Sequence, residues 1–538
     1  MTVRLSRRGA LRLAGGAGLA AVLAPTLAGC AKPGNDGLNP GTLESKAKLP
    51  QPFTVPLPVL KPLAPSATDA QGVHYAMTLR QAEVEILPGY RTKIFGYEGT
   101  FPGPYLDVRA GTPMVVHQTN QLPVPIVTHL HGGLTPPSDD GFPTDLVYPK
   151  ALADMVDPAK AAAMPGMGGM PSMHDPLAHA TAVERDYVFP LKQRAATLWY
   201  HDHRMDFTGA QVWKGLFGLC VVRDDEEDKL PLPKGEREIP LLITDRAFDA
   251  DGQLLYPVDD PTLLGKPGMK GSIKAGAQGD VILVNGAPWP FLEVAAVKYR
   301  LRLVNASNAR RYELKLDGPA GGSGGGSGSG SGGGEFIQIG SDGGLLAAPV
   351  THKSLHISPA ERFDVVVDFS KYPVGSTVTL KNSAGDGGTA QVMQFKVTSQ
   401  AADDSSVPAK LSSIEKLVVD GAKRRLVFAL KGDQWQVNGK SFDPAKPLLK
   451  AEFGKVEEWT VTSVERHPVH LHGAHFQVVK RASGSGDYDE GWKDTVELSP
   501  GSEITLAVRF DAYRGRYVAH CHNLEHEDMA MMAAFQVV

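Results

Sequence analysis

Residues 517–522 read Tyr-Val-Ala-His-Cys-His, and residues 523–526 continue with Asn-Leu-Glu-His. The aromatic and β-branched residues at the start of this stretch predict a β-strand. Successive residues of a strand point to opposite faces of its sheet. Cys521 is therefore expected on one face, with His520 and His522 on the other. This short strand is therefore expected to place a thiol on one side of its sheet and two imidazoles on the other.

Outward from this strand, short β-patterned runs separated by Gly, Pro, Asn and Asp dominate the chain. The sequence holds 59 glycines and 41 prolines among 538 residues, well above the usual combined share of about 12%, which favours many turns and short strands. The pattern predicts an all-β chain built from sandwiches or barrels. The clearest runs are Val281 to Val284, Tyr299 to Val304, Phe363 to Phe369, Thr377 to Leu380 and Glu503 to Phe510.

Polar, proline-containing stretches near residues 225–235 and 400–410 predict the domain boundaries. They divide the chain into three β domains, which we place at residues 70–228, 229–400 and 405–538. Inside the middle domain, residues 318–334 read GPAGGSGGGSGSGSGGG and predict a flexible, linker-like insert.

Composition excludes several classes of protein. The 55 basic and 59 acidic residues leave a net charge of −4, so no basic field indicates binding to nucleic acid. Three cysteines are too few for a disulfide framework. With 42% hydrophobic and 21% charged residues, the chain has the balance of a globular protein that buries large cores.

The first 30 residues predict an export signal rather than part of the fold. Arg7 and Arg8 precede an apolar run rich in Ala, Gly and Leu, which resembles a twin-arginine signal, whose pathway exports folded proteins. Leu27-Ala-Gly-Cys30 resembles a lipobox, in which Cys30 becomes the lipid anchor. Residues 31–70 predict a stalk. We therefore expect a periplasmic or cell-surface lipoprotein without a transmembrane helix in its mature chain.

Ten of the 17 histidines lie in four short clusters. A single His-x-His pair on a strand is weak evidence for a metal site. Four such pairs are stronger evidence, because each strand presents two imidazoles on one face and neutral imidazole is the commonest metal ligand. The eight paired imidazoles can surround several metal ions. The clusters are His129-Leu-His131, His201-Asp-His203, His467-Pro-Val-His470-Leu-His472 and His520-Cys-His522-Asn-Leu-Glu-His526.

The last cluster indicates which metal is bound. Cys521 with His467 and His526 forms a His₂Cys set, and Met531 follows the cysteine by ten residues as a weak axial thioether. That set is typical of blue-copper electron-transfer sites. Structural zinc sites commonly use several cysteines, whereas Cys521 is the only cysteine in this cluster.

The four clusters, in this order, resemble the copper signatures of the multicopper oxidases. His-Leu-His-Gly-Gly at residues 129–133 and Trp-Tyr-His-Asp-His at residues 199–203 are similar to the group of bacterial spore-coat laccases and bilirubin oxidases. The resemblance covers nearly the whole mature chain. It implies three cupredoxin-like Greek-key β-sandwich domains, with copper bound in the first and third.

The resemblance also implies four copper ions, one of type 1, one of type 2 and two of type 3. It assigns Cys521, His467, His526 and axial Met531 to type 1. It assigns type 2 to His129 and His470, one type 3 ion to His131, His201 and His522, and the other to His203, His472 and His520. Asp140 and Glu527 match the family's carboxylates that supply protons for oxygen reduction.

The implied activity is a laccase-like oxidation of phenols or aromatic amines, coupled to the reduction of dioxygen to water. Bilirubin oxidation and Cu(I) oxidation in copper tolerance remain alternatives. The Cu(I) alternative draws on residues 155–173, where Met164, Met167, Met170 and Met173 recur every third residue. The Pro and Gly residues between them predict an exposed loop rather than a helix, and methionine sulfur is a soft ligand for Cu(I).

Overall fold

The computed structural model describes residues 42–157, 160, 175–269, 276–319, 331–482 and 486–538, with only the backbone described for residues 331–333. The predicted export signal, Cys30, and the four regularly spaced methionines from Met164 to Met173 lie outside these residues. Most of the predicted glycine-serine insert lies outside them as well.

The first sandwich packs a five-stranded sheet, with the order β10-β6-β3-β2 and β4 beside β3, against a four-stranded sheet, with the order β5-β12-β11-β7. Strands β8 and β9 form a separate parallel pair. The strands are β1 Thr42–Leu43, β2 Ala67–Asp69, β3 Gly72–Val84, β4 Thr92–Tyr97, β5 Gly103–Arg109, β6 Met114–Asn120, β7 Thr128–His131, β8 Val147–Tyr148, β9 Thr181–Ala182, β10 Glu184–Phe189, β11 Ala196–Asp202 and β12 Phe217–Arg223.

The second sandwich packs a seven-stranded sheet, with the order β16-β15-β13-β18-β24-β21-β22, against a six-stranded sheet, with the order β17-β26-β25-β19-β20 and β23 beside β19. Strand β14 pairs with β1. The strands are β13 Glu238–Arg246, β14 Gln278–Gly279, β15 Val281–Val284, β16 Ala287–Pro288, β17 Phe291–Ala295, β18 Lys298–Asn305, β19 Tyr312–Pro319, β20 Ser331–Gly333, β21 Phe336–Ser341, β22 Gly344–His352, β23 Leu355–Ile357, β24 Arg362–Asp368, β25 Thr377–Asn382 and β26 Gln391–Ser399.

The third sandwich packs two five-stranded sheets, with the orders β28-β27-β30-β34-β32 and β29-β36-β35-β31-β33. All three sandwiches mix parallel and antiparallel neighbours; in the third, β27 runs parallel to β30 and β29 parallel to β36. The strands are β27 Lys423–Lys431, β28 Gln434–Val437, β29 Leu449–Ala451, β30 Val456–Ser463, β31 His467–Leu471, β32 Phe476–Arg481, β33 Thr495–Leu498, β34 Glu503–Arg509, β35 Gly515–Cys521 and β36 Met532–Val537.

Helices are few and short among the described residues. The α-helices are α1 Thr208–Lys214, α2 Asp225–Asp228 and α3 Leu524–Asp528, and the 3₁₀ helices are Lys150–Val156, Gly235–Arg237, Phe369–Lys371 and Gly387–Ala390. The prediction of an all-β fold is confirmed.

None of the helices in the described ranges combines the length and the apolar character that crossing a membrane requires.

Alternating burial explains why these segments are strands. In β10, Arg185, Tyr187 and Phe189 are buried, while Glu184, Asp186 and Val188 are exposed. This period of two places one face of the strand on the core of the first sandwich. In that core, Cys220 is fully buried among apolar side chains.

Two sequence predictions differ from the structure. The first difference concerns the stalk predicted over residues 31–70, whose described part packs against the second sandwich. Ala47 and Leu57 are buried in the core of that sandwich, and β1 pairs in parallel with β14. Apolar side chains spaced between the prolines attach this segment to the surface of the sandwich, so it is not a free spacer. The second difference concerns the exposed loop predicted over residues 155–173. That prediction is wrong at Met155, which is buried with Leu152 in the core of the first sandwich.

The described ends of the glycine-serine insert belong to paired strands. Pro319, at the end of β19, pairs with Ser331 at the start of β20, and Gly318 pairs with Gly332. The insert therefore connects two antiparallel neighbours at the edge of the six-stranded sheet.

A buried ionic network connects the first two sandwiches. Glu227 of α2 accepts hydrogen bonds from Arg300 Nη2 at 2.8 Å and from Arg302 Nη2 at 2.9 Å, both on β18. Arg302 Nη1 also donates to Thr197 Oγ1 of β11 at 2.9 Å. Burial alone would raise the pKa of Glu227, but Arg302 and Arg300 together hold it at about 2. The carboxylate is therefore ionised in the folded protein.

We expect Glu227→Gln to lower the free energy of unfolding by about 3–5 kcal/mol at neutral pH, because two buried guanidinium groups lose their shared charge partner. The folded pKa of Glu227 lies below its ordinary value of 4.5. The difference in the free energy of unfolding between wild type and variant should therefore be largest above pH 4.5 and should decrease as the pH falls towards 2. Denaturant unfolding at several pH values measures it. Exposed Glu226→Gln is the control and should change stability by less than about 0.5 kcal/mol; equal effects of the two variants would contradict the network.

Candidate metal centres

The third sandwich brings Cys521, His467 and His526 together. His467 begins β31, Cys521 ends β35, and His526 lies in α3. Cys521 Sγ is 3.3 Å from His467 Nδ1 and 3.6 Å from His526 Nδ1, and the two Nδ1 atoms are 3.2 Å apart. The centre of this triangle lies about 2 Å from each donor atom, which is the usual distance from a metal ion to imidazole or thiolate ligands. We call these three residues the Cys521 site.

Buried groups surround the Cys521 site. Met531 is fully buried, its carbonyl accepts from Cys521 N–H at 3.1 Å, and its N–H donates to the His526 carbonyl at 2.9 Å. Trp435 of β28 stacks on His526 with ring centroids 4.0 Å apart and meets His467 edge-on at 5.4 Å. Burial raises the pKa of the Cys521 thiol. Metal binding at this site therefore has to displace a proton.

A second group of donors lies between the first and third sandwiches. Strands β7 and β11 pair so that His129 faces His201, and β31 and β35 pair so that His470 faces His520. Each sandwich supplies four imidazoles, and all eight are at most 1% exposed. We call them the histidine cluster: His129, His131, His201, His203, His470, His472, His520 and His522.

The donor atoms of the histidine cluster fit metal binding. Three sets of its ring nitrogens converge within 4.8 Å: those of His203, His472 and His520; of His129, His470 and His472; and of His129, His131 and His201. The His522 ring lies 5.0 Å from that of His131 and 5.2 Å from that of His201.

Several of these nitrogens are buried without a hydrogen-bond partner: Nε2 of His129, His201 and His470, Nδ1 of His131, and both nitrogens of His522. An unpaired buried polar atom is costly, and a bound cation would satisfy it. The opposite nitrogen is often held by an acceptor. His129 Nδ1 donates to the Asp140 carbonyl at 2.5 Å, and His201 Nδ1 donates to the Asp202 carbonyl at 2.8 Å. Such hydrogen bonds orient metal-binding imidazoles.

Burial also keeps the imidazoles neutral. It lowers the pKa of His201 to about 3, and it lowers the pKa of His203 to about 4 despite the opposing influence of Glu527. Neutral imidazole is the form that binds metal, so the cluster is ready to accept ions at physiological pH.

The two carboxylates selected from the sequence both lie against the histidine cluster, and each is 1% exposed. Asp140 Oδ2 accepts from His472 Nδ1 at 2.7 Å, and Asp140 Oδ1 accepts from Thr135 at 2.9 Å. Burial raises the pKa of Asp140 to about 8. Glu527 Oε1 accepts from Thr208 at 2.8 Å, and its Oε2 lies 3.1 Å from His520 Nδ1.

Sequence reasoning missed two residues at these centres. Trp435, which covers the Cys521 site, stands in a hairpin without a recognisable motif. Asp494 contacts the histidine cluster from the turn before β33: its Oδ1 lies 3.1 Å from His131 Nε2. Both residues are distant in sequence from the ligands that they touch, so no local spacing could have indicated either.

A buried His₂Cys site joined through one strand to eight buried imidazoles defines a metal-dependent electron-transfer protein built from cupredoxin-like sandwiches. A family model described as multicopper oxidase matches residues 420–538, and a second with the same description matches residues 78–150 and 160–227. The chain belongs to the multicopper oxidase family. It is an oxidoreductase, and copper is its metal.

Relatives with known names cover nearly the whole chain. A laccase from Bacillus subtilis (strain 168) is 34% identical over 90% of this chain and 98% of its own. A bilirubin oxidase from Albifimbria verrucaria is 32% identical over 90% of this chain and 81% of its own. The crystal structure of a laccase from Pediococcus acidilactici Pa5930 is 29% identical with a TM-score of 0.75, covering 92% of this chain and 96% of that chain.

We expect Cys521→Ser to abolish the blue colour and the oxidation of substrate, because the thiolate is the strongly absorbing ligand. An electron paramagnetic resonance signal from copper bound in the histidine cluster should remain, because no histidine of that cluster belongs to the Cys521 site. Visible absorption and spin resonance on the copper-loaded protein measure both effects. Cys220→Ser, in the first core, is the control and should stay blue; a blue Cys521→Ser protein would rule out the Cys521 site as the blue centre.

Proposed function

We propose that this protein is a laccase-like oxidase that couples one-electron oxidation of phenols or aromatic amines to four-electron reduction of dioxygen to water. The observation that carries the proposal is the placement of Cys521, the last residue of β35, between His520 on that strand and His522 directly after it. One backbone segment thereby joins the Cys521 site to the histidine cluster. The named laccase and bilirubin oxidase relatives support the same activity.

We assign the Cys521 site, with axial Met531, to type 1 copper. The geometry of the histidine cluster supports one type 2 and two type 3 ions. We assign type 2 to His129 and His470, one type 3 ion to His131, His201 and His522, and the other to His203, His472 and His520. When bound, copper supplies the one-electron redox chemistry that links an organic reductant to dioxygen.

The chain's own residues create the conditions for that chemistry. The buried rings of the cluster exclude bulk water from the place where dioxygen is reduced. Trp435 covers one face of the His526 ring and contacts the His467 ring edge-on. The peptide bonds on either side of Cys521 give a short covalent path to His520 and His522.

Oxygen uptake with a panel of reductants tests the proposed activity. The copper-loaded protein should consume dioxygen with a small phenol, while a bulky phenol, bilirubin and Cu(I) distinguish the substrate class. Uptake with Cu(I) but with no organic reductant would replace the laccase-like proposal with cuprous oxidase activity. No uptake with any reductant would overturn both.

We further propose that Asp140 and Glu527 transfer protons during oxygen reduction. Asp140 is hydrogen-bonded to His472, and Glu527 lies against His203 and His520. Both carboxylates therefore touch imidazoles of the cluster without taking a donor atom from it.

We expect Asp140→Asn and Glu527→Gln each to slow oxygen reduction by about 10²–10⁴-fold, the range typical of a lost acid–base group. Copper content should be unchanged. Stopped-flow reoxidation of the reduced blue centre by dioxygen measures the step. Asp139→Asn, beside Asp140 in sequence, is the control. Wild-type reoxidation rates in both amide variants would make the carboxylates structural.

Cu(I) oxidation is the second candidate function, supported by Met164, Met167, Met170 and Met173. Met155 is buried in the core of the first sandwich, so it is not a candidate ligand for Cu(I). The candidate ligands are these four methionines. Soft thioether sulfur selects Cu(I), so we propose that the segment gathers Cu(I) as substrate or for delivery to the centres.

Deleting residues 160–174 should weaken Cu(I) oxidation much more than oxidation of a small phenol. The deletion has to spare Asp175, which forms an ion pair with Arg516. Replacing all four methionines by leucine gives a matched variant that keeps the segment's length and removes only its sulfur. Michaelis constants for Cu(I) and the phenol provide the comparison. Equal loss of both activities, or loss of neither, would contradict the Cu(I) role.

We propose export by the twin-arginine route and a lipid anchor at Cys30, with the mature protein in the periplasm or at the cell surface. The support for this location is the sequence of residues 1–30. Export of a folded chain suits a protein that acquires copper between two of its domains.

A further inference from the structure

Asp494 stands where all three sandwiches meet. It is 1% exposed and immediately precedes β33 of the third sandwich. Its carboxylate touches Arg362 of β24 in the second sandwich and His131 of β7 in the first. Its backbone carbonyl accepts from His470 Nδ1 of β31 at 2.9 Å. A single residue thus contacts two histidines of the cluster and one cation from the sandwich that supplies no ligand.

The carboxylate of Asp494 has its acceptor sites occupied. Arg362 binds it with both terminal nitrogens, with Nη1 at 2.7 Å from Oδ1 and Nη2 against Oδ2. Oδ1 also lies 3.1 Å from His131 Nε2 and accepts from Thr495 Oγ1 at 2.9 Å. A carboxylate accepts several hydrogen bonds at once, and a paired guanidinium fixes its plane. The acceptor facing His131 is therefore held in one orientation.

This contact decides which nitrogen of His131 is available for metal. With Nε2 donating its proton to Asp494, the neutral ring carries its lone pair on Nδ1. His131 Nδ1 is buried, faces the cluster and has no hydrogen-bond partner. In His129, His201 and His470 the arrangement is reversed: Nδ1 is hydrogen-bonded to a backbone carbonyl and Nε2 is unpartnered.

Arg362 connects the second sandwich to the histidine cluster through Asp494. Its guanidinium is fully buried and also donates to the Thr197 carbonyl at 3.0 Å and the Ala360 carbonyl at 2.9 Å. Those contacts fix Arg362 to the first and second sandwiches. Through its double hydrogen bond, Arg362 then places Asp494 of the third.

We propose that Asp494, locked by Arg362, is a positioning residue that selects the Nδ1-binding tautomer of His131 and so completes the copper cluster. The proposal rests on the copper assignment given above. It gives the second sandwich a direct part in building a centre to which it supplies no ligand.

Asp494→Asn tests the proposal because it keeps the shape of the side chain and removes one acceptor. Arg362 contacts both carboxylate oxygens, so in either orientation the NH₂ group of the amide faces a guanidinium nitrogen, and the double hydrogen bond that locks residue 494 is lost. The acceptor facing His131 Nε2 is then no longer held in one orientation, and the Nδ1-binding tautomer of His131 is no longer selected. We expect affinity for copper at the cluster to fall by about 10- to 100-fold, while the blue absorption of the Cys521 site is retained.

Asp342→Asn is the matched control. Asp342 is fully buried, lies 3.6 Å from Arg362 Nη1 and pairs with Lys493 at 3.2 Å, so the control removes the same charge from the same network. Asp342 Oδ2 accepts from the backbone N–H groups of Asp494 and Thr495 at 3.3 Å, contacts that an asparagine oxygen can keep. Within the described part of the chain Asp342 makes no hydrogen bond to a histidine. Copper per chain, the ratio of blue absorption to total copper, and the type 2 spin-resonance hyperfine splitting are measured for both variants, with thermal unfolding of the copper-free proteins alongside.

The expected result is loss of cluster copper in Asp494→Asn alone, with comparable unfolding temperatures for the two copper-free variants. Full cluster copper and an unchanged spectrum in Asp494→Asn would overturn the positioning role. Equal copper loss in both variants would show that the charge network, not the contact with His131, holds the cluster. Absence of cluster copper from the wild-type protein would instead overturn the copper assignment itself.

Discussion

The alternation of side chains along β35 is the constraint on which the rest of the structure depends. Because neighbouring residues of a strand point to opposite faces, Cys521 lies in the core of the third sandwich while His520 faces the first. A thiol and two imidazoles that are adjacent in sequence thus belong to two different centres. Any shift of register by one residue would exchange them and destroy both centres.

That arrangement requires a second surface to complete the histidine cluster. Strands β7 and β11 of the first sandwich provide it, because their pairing places His129 opposite His201. Bringing eight imidazoles together without water is unfavourable unless cations compensate for their unpaired nitrogens. The two sandwiches therefore have to be held in place by contacts other than the cluster itself. The ionic networks around Arg300, Arg302 and Arg362 lie at those junctions.

The second sandwich supplies the contacts that hold the first and third sandwiches in place. It has the largest sheets and no predicted copper ligand, yet its β18 and β24 carry the arginines that reach into both neighbours. Guanidinium groups suit this task because they stay charged when buried and form two parallel hydrogen bonds with a carboxylate. The second sandwich is thus joined by buried ion pairs to the first and third sandwiches, which carry the histidine cluster.

The residues of both centres could be selected from the sequence because the signals are local. His-x-His pairs share a strand face wherever the strand lies, and Cys521 with His526 and Met531 falls within one short segment. The stalk predicted for residues 31–70 does not extend through its described part, where Ala47 and Leu57 are buried in the second core. The pattern of small apolar residues between prolines does not reveal which surface covers them. Met155 was misplaced for the same reason: the sequence cannot say that a neighbouring core accommodates it.

The sequence by itself determined the strand-rich fold, the donor types and the pairing of donors along each strand, since these depend on residues two to five positions apart. Only the tertiary structure decided which nitrogen each imidazole presents, that Trp435 covers the Cys521 site, and that Asp494 reaches His131. Those outcomes depend on contacts between residues separated by tens to hundreds of positions. Their geometry follows from the packing of whole sandwiches, because no local periodicity encodes the distance between two domains.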